Sequence, residues 1–131
     1  MSFGQRKLDR EKPEIDFPDH GAPTELLVED LIPGTGQEAK PGNTVSAHYV
    51  GVAFSTGEEF DASWNRGTPL DFKVGAGQVI EGWDQGLLGM KVGGRRRLEI
   101  PSSLAYGSSG AGSAIGPDEA LIFVVDLLGV R

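Results

Sequence analysis

The side chains that usually carry bond-forming chemistry are scarce in this sequence. Its two histidines, His20 and His48, are far apart, and no Gly-x-Ser-x-Gly motif predicts a serine nucleophile. The sequence contains no cysteine, which excludes a thiol nucleophile, a disulfide framework and a cysteine-ligated zinc site. The histidines and acidic residues show no clustering at metal-ligand spacing. We therefore expect neither a metal nor a cofactor.

A weak dinucleotide-binding signal occurs at Gly75-Ala76-Gly77, between a predicted strand and a predicted helix. Glu99 lies about 20 residues further on, as that motif requires. However, Ile80 replaces the third glycine, and no further strand–helix alternation follows. We interpret these glycines as a tight turn.

For two residues, the sequence fits both a structural role and a functional role. Asp61 lies between Phe60 and Ala62, and an acid in apolar surroundings is either a buried anchor, hydrogen-bonded to a tyrosine or arginine, or a catalytic group. The sequence around Trp83 is the same whether its side chain fills a core or forms the floor of a pocket. Taken alone, Trp83 favours a core.

Large apolar residues also occur in loops and at strand ends, where a core does not require them. If they converge over Trp83, they line an aromatic cleft with a few polar groups, and the alternative is an ordinary core. These residues are Phe60, Leu70, Val79, Ile80, Tyr106, Ile115 and Phe123.

The elements that would position these residues follow from periodicity. Ile80, Trp83, Leu87 and Met90 recur at helical spacing and predict one short helix, which its glycines make intrinsically weak. Alternating or continuous apolar runs predict the strands Leu26–Ile32, Thr44–Phe54, Glu59–Ser63, Leu70–Val74, Arg95–Ile100 and Leu121–Val130. The fold class is α+β, an antiparallel sheet with one short helix held against it.

Two other segments are predicted to lack regular structure. Residues 64–69 and 104–117 are predicted loops, and the second is long enough to suggest a function. Arg95-Arg96-Arg97 lies on a strand, so its side chains point alternately to opposite faces, and we assign them to solvated edge positions.

The N-terminal residues 1–23 are a separate segment in composition. Charged residues dominate from Arg6 to Glu14, and three prolines interrupt any helix or central strand. We predict a disordered or loosely docked tail before a domain at residues 24–131. Ile15, Phe17 and Pro18 form a small apolar patch in this tail, which could dock on a surface or enter the cleft of a neighbouring molecule.

Composition limits the partners. The chain has 131 residues and a formal net charge of -7, which argues against non-specific binding to nucleic acid or to acidic membranes. It has neither the apolar core of a signal peptide nor a run of membrane-spanning length. We expect a single-domain, cytoplasmic monomer.

Several segments taken together closely resemble the FKBP-type peptidyl-prolyl cis-trans isomerases. They are YVGVAFSTGEEFDAS, GQVIEGWDQGLLGMKVGGRRRLEIP, LAYG and LIFVVDLL. The resemblance runs from about residue 26 to residue 131 in consistent order and spacing. It implies an antiparallel sheet of about five strands wrapped around the short helix, activity on proline-containing peptides and unfolded proteins, and macrolide binding in the same cleft.

The resemblance also implies the site residues. Catalytic roles fall on Tyr49, Phe60, Asp61, Val79, Ile80, Trp83, Tyr106 and Phe123, and substrate-binding roles on Arg66, Leu70, Gln78 and Ile115. Leu70 stands where the family commonly has an aromatic residue, while Ala111 and Gly116 replace the histidine and proline that many members carry. The alternative function is a proline-motif binding module or holdase, which would use the same cleft without turnover.

Overall fold

The computed structural model describes residues 10–131. Within this range one antiparallel sheet holds six strands, in the order β1-β5-β6-β2-β3, and β4 also pairs with β2. The strands are β1 Leu27–Ile32, β2 Thr44–Ala53, β3 Glu59–Ala62, β4 Leu70–Lys73, β5 Arg95–Ile100 and β6 Leu121–Val130. The sequence therefore predicted every strand, with small differences at the ends.

The two ten-residue strands, β2 and β6, form the centre of the sheet. They pair from Val45–Val130 to Ala53–Leu121, and every residue of β6 is buried. Their alternate side chains form two apolar layers. The main core lies on the inner face, toward the central helix, and a small cluster of Val50, Ala62 and Val124 lies on the outer face.

The central helix α2 spans Glu81–Gly86 and packs on the inner face. It ends earlier than the periodicity predicts, because backbone hydrogen bonds join Gly89 and Met90 to Ala39 and carry the chain away from the helix axis. Leu87 and Met90 are nevertheless each only 1% exposed. A Cβ on Gly82 would lie 2.5 Å from Ile100, so this poor helix former permits close packing of α2 on β5.

The predicted loops contain short regular turns. A four-residue helix, α1, spans Ser63–Arg66 and ends at Gly67, which has a φ of 70°. This position favours glycine because the left-handed region is open to it without steric cost. The long segment 104–117 contains a 3-10 turn at Gly107–Ser109 and a bridge between Ala111 and Ile115.

The assignment of the three arginines to solvated edge positions was wrong. Strand β5 lies between β1 and β6, and Arg96 and Arg97 are 8% and 9% exposed. Arg95 pairs with Asp126 on the outer face, whereas Arg96 pairs with Asp30. Asp30 and the backbone carbonyls of Gly86 and Leu88 compensate the desolvation of the buried Arg96 guanidinium. Arg97 is instead compensated by Glu99, two residues along the same strand.

Residues 10–23 form no helix or strand, yet part of this segment contacts the outer face of the sheet. Arg10 pairs with Asp126 at 3.0 Å, and Phe17 lies edge-on to Phe54 with ring centroids 6.2 Å apart. Phe17 therefore packs against its own chain. Residues 1–9 of the predicted tail lie outside the described residues, and the domain boundary after residue 23 stays a prediction.

Two features are absent from residues 10–131. No helix there is long and apolar enough to cross a membrane. No group of three or more histidine, aspartate or glutamate side chains in that range is placed to hold a metal ion.

Candidate functional site

A cleft of about 180 Å³ opens on the inner face of the sheet, above α2. Strands β2, β3, β4 and β6 contribute to its walls, together with α2, the turn before it and the 104–117 segment. Ten of the twelve predicted site residues line it: Tyr49, Phe60, Asp61, Leu70, Gln78, Val79, Ile80, Trp83, Tyr106 and Phe123. Six of the seven large apolar residues in loops and at strand ends thus converge over Trp83, and Ile115 does not.

Aromatic rings make the floor of this cleft rigid. Trp83 is 3% exposed and meets Tyr49 and Phe123 edge-to-face, at centroid distances of 5.0 Å and 5.3 Å. Phe60 stands perpendicular to Phe123 at 5.5 Å. Such edge-to-face pairs are each worth about 0.5–1.5 kcal/mol beyond their buried area, so the rings hold one another in place. Trp83 belongs to both the core and the cleft.

A β-bulge places two successive residues of β3 toward the cleft. Gly51 of β2 faces Asp61 and Val52 faces Glu59, so Phe60 is an extra residue in the ladder. Successive strand residues normally point to opposite faces, and the bulge removes that alternation here. Phe60 and Asp61 consequently both line the cleft.

Gly51 is a residue that the sequence reasoning missed. A Cβ at this position would lie 2.6 Å from the Phe123 ring and 2.7 Å from the Phe60 ring. Only glycine allows both rings to approach the strand so closely. A glycine in the interior of a strand often marks a bulge or a close approach, and this signal was available in the sequence.

Asp61 is the charged group of the cleft, and two side chains fix it. The Tyr49 hydroxyl donates to one of its carboxylate oxygens at 2.5 Å, and Arg66 donates to the other at 2.7 Å. Arg66 also donates to the Tyr49 hydroxyl at 2.8 Å. Arg66 does not line the cleft and instead orients the two residues that do.

This network sets the protonation states. Burial alone would raise the pKa of Asp61, but the hydrogen bonds from Tyr49 and Arg66 and the guanidinium charge outweigh it and lower that pKa below 3.8. Burial, and then the hydrogen bond to Asp61, raise the pKa of the Tyr49 hydroxyl above 10.0. Near neutral pH the cleft therefore contains a carboxylate, which accepts a hydrogen bond from a protonated tyrosine.

The remaining predicted residues differ in their exposure. Tyr106 lines the cleft and is 41% exposed. The Gln78 side-chain oxygen accepts from the backbone N–H of Lys73 at 2.8 Å, which fixes the turn before α2. Ile115 is 5% exposed within the main core and is not among the residues that line the cleft.

The glycine turn before α2 has a structural explanation. The Asp84 carboxylate accepts from the backbone N–H groups of Gly75 and Gly77, at 2.8 Å and 3.0 Å. The preceding strand, β4, pairs antiparallel with β2, so the segment is no part of a parallel βαβ unit. These two facts exclude the dinucleotide-binding interpretation.

A second missed group lies behind the cleft. The Ser63 hydroxyl accepts from the Tyr49 backbone N–H at 2.7 Å and lies 2.8 Å from Nδ1 of His48. The His48 ring stacks on Trp64, with centroids 4.4 Å apart. His48 thus supports the start of α1 on the outer side of the sheet.

The contacts of His48 predict a pH dependence. Burial lowers the pKa of His48 below 6.5, against a smaller opposing effect of the Asp126 charge. Because the folded-state pKa is the lower one, the stabilisation by neutral His48 is complete above pH 6.5 and is lost as the pH falls through the folded-state pKa. Since an imidazolium quenches a stacked indole, Trp64 fluorescence should fall with a midpoint below pH 6.5.

The measurement is a fluorescence titration of the wild type beside His48→Gln and His20→Gln. The fluorescence transition should persist in His20→Gln and disappear in His48→Gln. A midpoint at or above 6.5, or a transition that survives in His48→Gln, would contradict this assignment.

Comparison with known proteins gives a consistent result. The model of the family described as FKBP-type peptidyl-prolyl cis-trans isomerase matches residues 35–128. An FK506-binding protein of Streptomyces anulatus is 66% identical over 121 residues, which cover 92% of this chain and 98% of that protein. An FK506-binding protein of Neisseria meningitidis serogroup B is 50% identical over 105 residues, covering 80% and 95% respectively.

A solved structure shares the fold. The crystal structure of AtFKBP13 superimposes with a TM-score of 0.76 and 41% sequence identity, covering 84% of this chain and 96% of that one. The family match spans more than half of the chain, and the matched strands and helix are those that build the cleft. The chain belongs to the FKBP-type peptidyl-prolyl cis-trans isomerases, a family that binds proline-containing peptides and FK506-type macrolides.

Proposed function

We propose that this isomerase rotates the X-Pro bond inside the aromatic cleft, with the proline ring above Trp83. The observation that carries the proposal is the convergence of ten predicted residues on one cleft, with a single charged side chain, Asp61, among them. Phe60, Tyr49 and Phe123 would form walls around the proline, with Val79 and Ile80 opposite. Leu70 and Gln78 would contact the flanking residues of the peptide.

The reaction requires only a modest increase in rate. Rotation about the X-Pro bond has a barrier of about 20 kcal/mol and takes tens of seconds or more. A turnover of about 10–10³ per second requires the barrier to fall by about 4–7 kcal/mol. No covalent bond is broken, so binding that favours the twisted amide over the planar one is sufficient.

The cleft favours the twisted amide in two ways. A twisted amide loses its resonance, so its carbonyl is less polar than that of the planar ground state and is better accommodated by an apolar, water-poor site. Asp61 is also one of the residues that line this site. Placed beside the rotating carbonyl, it would repel the planar form more than the twisted form.

Backbone and rim groups would orient the substrate. Ile80 directly precedes α2, with its own carbonyl bonded to the N–H groups of Trp83 and Asp84. Its backbone N–H and the Tyr106 hydroxyl would each donate to a substrate carbonyl. These contacts would hold the peptide while the X-Pro bond turns, which limits the entropic part of the barrier.

The same cleft would bind an FK506-type macrolide and, in the cell, proline-containing segments of unfolded proteins. We further propose that the protein works in the cytoplasm as a monomer, without a nucleic acid or membrane partner. The negative net charge of -7 supports the absence of nucleic acid.

The role of Asp61 is tested by Asp61→Asn, which keeps the shape of the side chain and removes its charge. We expect kcat/KM for a Leu-Pro peptide to fall about tenfold, equivalent to about 1.4 kcal/mol. Asp71→Asn, at an exposed position of β4 outside the cleft, is the matched control and should leave kcat/KM unchanged. Equal activity of the two variants would show that the Asp61 charge has no role in the reaction.

A further inference from the structure

The segment from Arg10 to His20, here called the strap, is anchored at its start to buried groups. Arg10 pairs with the fully buried carboxylate of Asp126 and donates to the carbonyl of Gly93 at 2.6 Å. Arg95 in turn donates to the carbonyl of Glu11 at 3.2 Å. These contacts fix where the strap enters the outer face of the sheet.

Apolar and polar contacts fix the rest of the strap. Ile15 packs on the outer cluster of Val50, Ala62 and Val124. At the far end, His20 lies 3.1 Å from the carboxylate of Glu99. The strap thus lies on the face of the sheet opposite to the cleft.

Between these anchors the strap contacts the corner formed by β3 and α1. Lys12 pairs with Glu59 at 2.7 Å and donates to the Asn65 side chain at 3.0 Å, while Asn65 donates to Glu59 at 2.9 Å. This contact lowers the pKa of Glu59 below 4.5, with the hydrogen bond from Lys12 as the largest cause. The three side chains form one closed triangle.

Two members of this triangle, Glu59 and Asn65, directly precede residues that build or support the cleft. Glu59 immediately precedes Phe60 and Asp61, at the bulge that turns both toward the cleft. Asn65 immediately precedes Arg66, which holds Asp61 in place. β3 is a four-residue strand at the edge of the sheet, so its own ladder gives it little support.

We propose that the strap braces the β3–α1 corner from the outer face, and that Lys12 is a positioning residue for Phe60 and Asp61. This inference rests on the proposed function of the cleft. Lys12 does not touch the substrate site and acts through the backbone of β3 and α1. The N-terminal segment is then a part of the working domain that supports its geometry.

The test compares Lys12→Met with Lys40→Met, a change at an exposed lysine outside the strap. An exposed ion pair contributes little to folding stability, so both variants should melt close to the wild type. A displaced catalytic wall can cost up to about 10²-fold in rate, and for this small displacement we expect Lys12→Met to lose about threefold to tenfold in kcat. Lys40→Met should match the wild type.

Rescue separates positioning from a loss of stability. The reversed pair, Lys12→Glu with Glu59→Lys, should regain at least half of the lost kcat, whereas Lys12→Glu alone should not. Full kcat in Lys12→Met, or no recovery in the reversed pair, would overturn the proposal.

An NMR measurement distinguishes failure of the brace from failure of the proposed function. The backbone amide resonances of Phe60 and Asp61 should shift in Lys12→Met and stay in place in Lys40→Met, whether or not the wild type turns over peptide. Unshifted amides in Lys12→Met would overturn the brace even in an active enzyme.

Discussion

Phe60→Ala is expected to lower kcat/KM for a Leu-Pro peptide at least about tenfold while the domain stays folded, a loss of at least 1.4 kcal/mol in transition-state binding. Phe60 is a partly exposed wall of the cleft, held edge-to-face against Phe123. Alanine would open this wall to water, and the twisted amide would lose much of the apolar surface that favours it. Because the ring is only partly buried, the cost in stability should stay below the 3–5 kcal/mol typical of a core Phe→Ala change.

A protease-coupled isomerisation assay measures this effect, with circular dichroism to establish folding. The control is Leu27→Ala, which removes an exposed apolar side chain from β1, outside the cleft. Leu27→Ala should keep its activity within about twofold, since surface contacts remote from a site contribute little to its chemistry. Normal activity in folded Phe60→Ala would show that Phe60 is not part of the catalytic site.

The largest loss of stability is expected for Arg96→Met. Arg96 donates to the carbonyls of Gly86 and Leu88, at 2.9 Å and 3.0 Å, and to both carboxylate oxygens of Asp30. Methionine would fill much of the space but leave buried carbonyls at the C-terminal end of α2 without donors, at about 1–3 kcal/mol for each. With loss of the cation at the helix end, we expect the free energy of unfolding to fall by about 2–4 kcal/mol.

Urea unfolding followed by tryptophan fluorescence measures this change. Lys73→Met, at an exposed position of β4, is the control and should stay within about 0.5 kcal/mol of the wild type. A loss below about 1 kcal/mol in Arg96→Met would show that these carbonyls find other donors and that Arg96 is not needed to hold α2.

The strands could be predicted because their patterns are local. β6 is a nearly continuous apolar run, interrupted by Asp126, and is buried along its whole length, as expected of a strand covered on both faces. The burial of Arg96 could not be predicted in this way. Its burial depends on Asp30 and on the end of α2, which are distant in sequence, and no local pattern of β5 records them.

The cleft was predicted in a different way. Local patterns left Trp83 undecided between core and pocket floor, and the family resemblance supplied the full set of residues. Neither the local patterns nor the family resemblance identified Gly51 and Lys12. The need for a glycine at position 51 arises only when the Phe60 and Phe123 rings meet over β2, and Lys12 acquires a role only when the strap lies beside Glu59.

The most direct test of the central claim is one NMR experiment on the wild-type protein with a Leu-Pro peptide. The chain has two tryptophans, Trp83 in the floor of the cleft and Trp64 outside it. A catalytic amount of protein should produce exchange between the cis and trans resonances of the peptide. In the protein spectrum, added peptide should shift the indole N–H of Trp83 and leave that of Trp64 in place. Absence of exchange with folded protein, or exchange without a shift of Trp83, would contradict the assignment of the reaction to this cleft.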